Sequence, residues 1–309
     1  MSGCPIFVTH DRISPLLNWK VALSTSFSMN LSAGQRWCLN LSRGIRAMKP
    51  RRGYIDGPTG QIHFQTLGDG IPLILSHQSP SSSNMFRKAY PLLAAAGVQA
   101  IGVDTPGFGS SDVPDPRPAV RDYASIFAPV LDHFGFKTAH FIGHHTGAAN
   151  VAEFAHLHPD RVESLILNGP PIFSDEERSN RTGAPGPSPI EPDGSHLKRR
   201  WDARVAATVG WSDVEAMHNN VLQTLWAGET FWYGHAAAYE YDVTDAFMGL
   251  AMRTLILTNT GDDIYHLSCR ARDMRPDMAF VELDGGTHDI VDEQPQAWVD
   301  AVVSFIKDA

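Results

Sequence analysis

From Arg52 onward, short apolar runs alternate with stretches of helical periodicity. Gln61–Gln65 and Pro72–Ser76 have the composition of strands, the second apolar and bounded by turn residues. A helical pattern over Met85–Ala96 follows, with Gly97 as its stop signal. The same logic predicts strands at Gln99–Val103, Ala139–Ile142 and Val162–Leu167, with helices at Arg121–Phe134 and Thr146–Leu157 between them. The rhythm breaks at Gly169-Pro-Pro171 and resumes with a strand at Thr254–Thr258, a strand at Ala279–Leu283 and a helix at Gln294–Ile306. Strands separated by helices imply right-handed crossovers. The fold class predicted is therefore α/β, with a mostly parallel central sheet flanked by helices.

The interruption at 170–250 starts rich in proline and glycine and becomes helical and aromatic, with Trp201, Trp211, Trp226, Phe231, Trp232, Tyr233, Tyr239 and Tyr241. An inserted lid over the carboxyl ends of the strands would have this composition, and ligands bind at that edge of open α/β sheets. Most of these aromatics are expected to form the lid's own core, with two or three facing a substrate.

Composition narrows the picture. The 309 residues, 43% of them hydrophobic, are ample for one large domain. A net charge of −9 argues against a nucleic-acid partner. No apolar run approaches the roughly 20 residues that cross a bilayer, so a soluble protein acting on a small molecule is expected. Cys4, Cys38 and Cys269 show no metal-type spacing and suit a reducing compartment. Residues 1–47 differ from the rest: no acidic residue lies between Arg12 and Tyr54, while basic residues accumulate among serines. This segment is expected to be a disordered extension, a targeting sequence or the product of a start codon placed too far upstream of Met48, with the domain running over 48–309. A cytoplasmic location is expected, or a mitochondrial one if residues 1–47 act as a transit peptide.

The candidate chemistry lies in Phe141-Ile-Gly-His-His-Thr-Gly-Ala148, between a predicted strand and a predicted helix. It has the form Gly-x-Nu-x-Gly, in which small flanking residues let strand and helix approach while the middle side chain projects from a strained turn. On this motif the chain resembles the α/β-hydrolase superfamily, from about Arg52 to the C-terminus. Further landmarks carry the resemblance. His77-Gln-Ser-Pro80 is similar to the oxyanion loop, with Gln78 where the family has glycine. Asp104–Asp112 is similar to the loop after the fourth strand. Gly261-Asp-Asp263 and Gly285-Gly-Thr-His288 are similar to the acid and histidine loops.

The resemblance implies a metal-free, cofactor-free site. Its acid would be Asp263, its histidine His288 and its oxyanion donors the N–H groups of Ser79 and Thr146, with His77 and Gln78 supporting the loop. Asp262 is the alternative acid, otherwise expected to be solvated. His144 is expected to be a packed, hydrogen-bonded core residue. Were glycine needed at position 78 for positive φ, the oxyanion loop would be reshaped.

The departure is His145, which stands where serine, cysteine or aspartate would be the nucleophile. Neutral imidazole could attack an acyl carbon directly. Alternatively, His288 oriented by Asp263 activates water while His145 assists, or the site has left hydrolysis altogether. His145, His288 and an aspartate would also suit zinc or iron(II), although no His-Glu-x-x-His spacing is present. The activity expected is hydrolysis of a small, fairly apolar ester, lactone or carbon–carbon substrate. The alternatives are a lyase, isomerase or cofactor-free oxygenase of the same fold, or a ligand-binding pseudoenzyme.

Overall fold

The computed structural model describes residues 49–308, apart from 184, 185, 188, 209 and 212. The expectations for residues 1–47 lie outside the described residues. Eight strands form one sheet: β1 (Arg51–Gly57), β2 (Gly60–Leu67), β3 (Ile71–Ser76), β4 (Val98–Val103), β5 (Ala139–His144), β6 (Val162–Asn168), β7 (Thr254–Asn259) and β8 (Ala279–Leu283). Their spatial order is β1-β2-β4-β3-β5-β6-β7-β8. β1 and β2 pair antiparallel, as do β2 and β4, and every pairing from β4 to β8 is parallel.

The apolar runs of the central strands follow from burial on both faces. Ile74, Leu165, Leu167 and Ile256 join one core, together with Phe127, Phe141 and Phe154. Their chain neighbours Leu73, Leu75, Ile166, Leu255 and Leu257 join the other, with Phe86, Tyr90 and Trp298. Alternation with period two sends successive side chains to opposite helical layers.

Two expected helices are interrupted. Met85–Ala96 divides into a 3₁₀ turn, Ser83–Phe86, and a helix, Ala89–Ala95. Arg121–Phe134 divides into Val120–Ser125 and Phe127–Phe134. Between β6 and β7 the described residues form five α-helices, Asp175–Arg181, Ser195–Ala207, Val214–Ala227, Tyr233–Glu240 and Thr244–Met248, and a 3₁₀ turn, Gly228–Thr230.

β4 and β5 flank β3 on opposite sides, so the chain's direction of sheet growth reverses there. The loops leaving β3 and β5 therefore open a crevice at the carboxyl edge of the sheet.

Candidate functional site

His145 occupies the tip of the turn between β5 and the helix Thr146–Leu157, with φ 49° and ψ −111°. Among the described residues it is the only non-glycine with positive φ. Two glycines make the turn possible. A Cβ on Gly143 would sit 2.1 Å from the Gly147 carbonyl oxygen, and one on Gly147 would sit 2.3 Å from the Ser76 oxygen. The His145 N–H donates to the Asn168 carbonyl at 2.8 Å, fixing the tip to β6.

The imidazole is held by an aspartate, but not the one expected. His145 Nε2 lies 2.8 Å from Asp262 Oδ2. Asp262 is a buried residue, not a solvated one, because the turn after β7 points it inward. Its Oδ1 accepts the Ile264 N–H at 3.1 Å while Oδ2 meets His145. Burial alone would raise the Asp262 pKa, but the charge and hydrogen bond of His145 reverse the direction and hold it below the usual carboxylate range. For His145, burial pulls the pKa down. The Asp262 charge and hydrogen bond, aided by Asp263, outweigh it, so the net direction is upward.

His288 and Asp263 are not brought together as a pair. Arg204 Nη1, from the helix Ser195–Ala207, donates to His288 Nε2 at 2.7 Å, and Arg204 also pairs with Asp289. Burial and the adjacent Arg204 cation push the His288 pKa down to about 3, so this imidazole is neutral. An arginine arriving from the inserted segment thus engages Nε2 of this ring, the nitrogen that a base would need free.

His145, Asp263 and His288 nevertheless line one cavity of about 190 Å³, with Gln78, Ser79, Pro80, Ser81, Arg204, Asn220 and His235. None of the eight aromatics expected to supply substrate-facing residues lines it. The inserted segment sends polar side chains instead. Phe231 lines an adjoining cavity of about 230 Å³ that shares Pro80, Arg204, Asn220 and His235 with the first. Arg204, Asn220 and His235 carry no sequence signal of their own, because nothing in the spacing of a helical insertion says which face meets the sheet.

The expected oxyanion donors are neighbours, yet one is already used. Ser79 N–H donates to Thr146 Oγ1 at 2.8 Å, and Thr146 Oγ1 lies 3.2 Å from Ser79 Oγ. The threonine hydroxyl after the elbow is the acceptor that takes it. The Thr146 N–H opens its helix and has no carbonyl of that helix to bond. Beneath the loop, His77 Nδ1 lies 2.9 Å from the Gln78 carbonyl oxygen, and His77 Nε2 accepts the Thr105 N–H at 2.9 Å. Gln78 does not need positive φ, and its Nε2 reaches the His288 carbonyl at 3.4 Å. His144 is fully buried as expected, but neither ring nitrogen has a hydrogen-bond partner.

A family model for the alpha/beta hydrolase fold matches residues 71–190. Over 119 residues the chain is 34% identical to the 2-hydroxy-6-oxononadienedioate/2-hydroxy-6-oxononatrienedioate hydrolase of Burkholderia vietnamiensis, covering 37% of this chain and 41% of that protein. It is 32% identical over 99 residues to epoxide hydrolase B of Mycobacterium tuberculosis, covering 31% and 28% respectively. The chain thus spans less than half the length of these curated relatives. Among solved structures, epoxide hydrolase A from Mycobacterium thermoresistibile superposes with a TM-score of 0.70 at 19% identity, over 84% of this chain and 98% of that one. E-2-(acetamidomethylene)succinate hydrolase gives 0.68 at 21% identity, over 84% and 100%. With its elbow, its sheet order and these likenesses, the chain has the alpha/beta hydrolase fold.

Proposed function

We propose that the protein is a hydrolase of a small, fairly apolar ester, lactone or carbon–carbon substrate, with His145 as its proton-accepting group. The observation that carries this reading is the His145–Asp262 contact at the elbow, on the wall of a cavity shared with His288. With Nε2 engaged by Asp262, the neutral ring presents its lone pair at Nδ1. Nδ1 accepts a proton from water as the water oxygen bonds the electrophilic carbon. That proton then passes to the leaving oxygen or carbon. Asp262 fixes the tautomer and stabilises the imidazolium in between.

In this reading His288 is a neutral hydrogen-bonding group for the leaving group, and the helices between β6 and β7 act as the lid. The hydrolase names of the curated relatives support the reaction class.

One observation favours a second reading. Engagement of the Ser79 N–H by Thr146 leaves the oxyanion site short of a donor. Proton-transfer chemistry without an acyl oxyanion, as in a lyase or isomerase, needs only the base.

The test is a panel of activated short-chain esters, lactones and vinylogous diketones, assayed with wild type, His145→Ala, His145→Ser and His288→Ala. Hydrolysis through His145 predicts that His145→Ala loses about 10²-fold or more in kcat, with a smaller loss in His288→Ala. Failure of wild type to turn over any member, while His145→Ser gains esterase activity, would overturn it.

A further inference from the structure

His144, His145 and Asp262 do more than pack together. One nitrogen from each ring and one oxygen from the carboxylate lie within 4.8 Å of one another. His144 is fully buried, and neither of its ring nitrogens finds a partner. A buried imidazole without partners is expensive and calls for an unseen one.

The main chain comes close to these donors on one side. Gly169, at φ +62°, lies directly against the pair. A Cβ there would sit 2.5 Å from His145 Cδ2, 2.8 Å from Nε2 and 3.2 Å from Asp262 Oδ2. Only glycine lets the backbone come this close to the donor atoms.

We infer that His144, His145 and Asp262 form a binding site for a divalent transition-metal cation, held among their donor atoms. Two imidazole nitrogens and one carboxylate oxygen are a borderline donor set that suits Zn²⁺, Fe²⁺ or Co²⁺ better than Mg²⁺ or Ca²⁺. The charge fits too. Asp262 supplies one negative charge at the donors, and Asp263 places a second carboxyl on the adjoining cavity wall. On binding, the cation would take the place of the proton between His145 Nε2 and Asp262 Oδ2, with His144 drawn in as the third donor.

Three protein donors leave coordination positions open, the arrangement of catalytic rather than structural sites. Such a cation would lower the pKa of bound water to about 7. The inference does not depend on hydrolysis, because occupancy is read without substrate.

The experiment uses the full, untagged chain. It is stripped with a chelator and titrated with Co²⁺ and Zn²⁺ by calorimetry, and the Co²⁺ form is read by its visible ligand-field absorption. Wild type is expected to take up about one equivalent, with the intense absorption of a low-coordinate site. His144→Phe replaces the ring with a similar apolar shape, and Asp262→Asn keeps the size of the acid. Both are expected to hold their thermal melt near wild type while binding at least about 100-fold more weakly.

Should His144→Phe not fold, Asp262→Asn reads the same site. Wild type that takes up no cation at this site overturns the inference, as does undiminished binding in folded His144→Phe or Asp262→Asn. Metal binding by a wild type that turns over no ester, lactone or diketone would instead count against the hydrolytic reading alone.

Discussion

His145 Nε2 lies 2.8 Å from Asp262 Oδ2, and that contact gives two adjacent aspartates different work. Asp262 is buried on the ring, whereas Asp263 lines the cavity without pairing to His288. Asp262→Asn is therefore expected to lower kcat by about 10²-fold or more by disturbing the tautomer of His145. Asp263→Asn should cost much less. Parallel steady-state kinetics decide it, and a larger loss in Asp263→Asn would return the acid to the position that sequence resemblance favours.

Thr146 holds the loop after β3 to the elbow through the Ser79 N–H. Thr146→Val keeps the shape and removes the acceptor. Leaving that N–H unpaired should reduce unfolding free energy by about 1–3 kcal/mol in a urea titration. If the released N–H then serves an oxyanion, ester turnover rises as stability falls. An unchanged midpoint would mean that the contact contributes nothing.

The elbow glycines should be intolerant for a steric reason. In Gly147→Ala the new methyl would meet the Ser76 and His77 carbonyl oxygens at 2.3 and 2.7 Å, both backbone atoms that cannot swing aside. Overpacking of this kind costs about 1–3 kcal/mol or more. The expected outcome is a clearly lower melting temperature or failure to accumulate as folded protein, and a wild-type melt would disprove the close approach.

Buried neutral histidines set the response to acid. Burial lowers the pKa of His77. Burial, reinforced by His145, brings His235 down to about 4, and burial with Arg204 brings His288 down to about 3. Below about pH 6.5 the unfolded chain takes up protons on these groups that the folded chain refuses. Their contribution is fully present above that value and is lost as pH falls toward 4 and then 3. Denaturation midpoints should drop between pH 7.5 and pH 5, and His235→Leu should flatten the slope. A midpoint independent of pH over that range would show these imidazoles charging freely inside the fold.

The sheet was legible in the chain because burial on both faces leaves a plain trace. Leu73-Ile-Leu75, Leu165-Ile-Leu167 and Leu255-Ile-Leu257 are apolar at every position, and one face alone would not require that. β1 left no such trace, since Arg51-Arg-Gly-Tyr54 is an edge strand exposed along much of its length. The elbow was legible from Gly143, His145 and Gly147, because steric demand at a sharp turn is written locally. Which aspartate meets which histidine was not legible. That choice depends on the direction in which one turn residue leaves β7, and on Arg204 arriving from a helix about 80 residues earlier in the chain. The polar lining of the cavity was missed for the same reason: aromatic content in an insertion reports bulk, not orientation.

The backbone at position 145 is held by its surroundings rather than by its own side chain. Neighbouring glycines, the bond to the Asn168 carbonyl and the helix that starts at Thr146 all act on main-chain atoms. The tip of the elbow therefore works as a socket. The fold bears the strain of the turn whichever L-residue stands there, so exchanging that residue changes the reagent without renegotiating the architecture. A change at this single codon would set a different reagent on the same architecture.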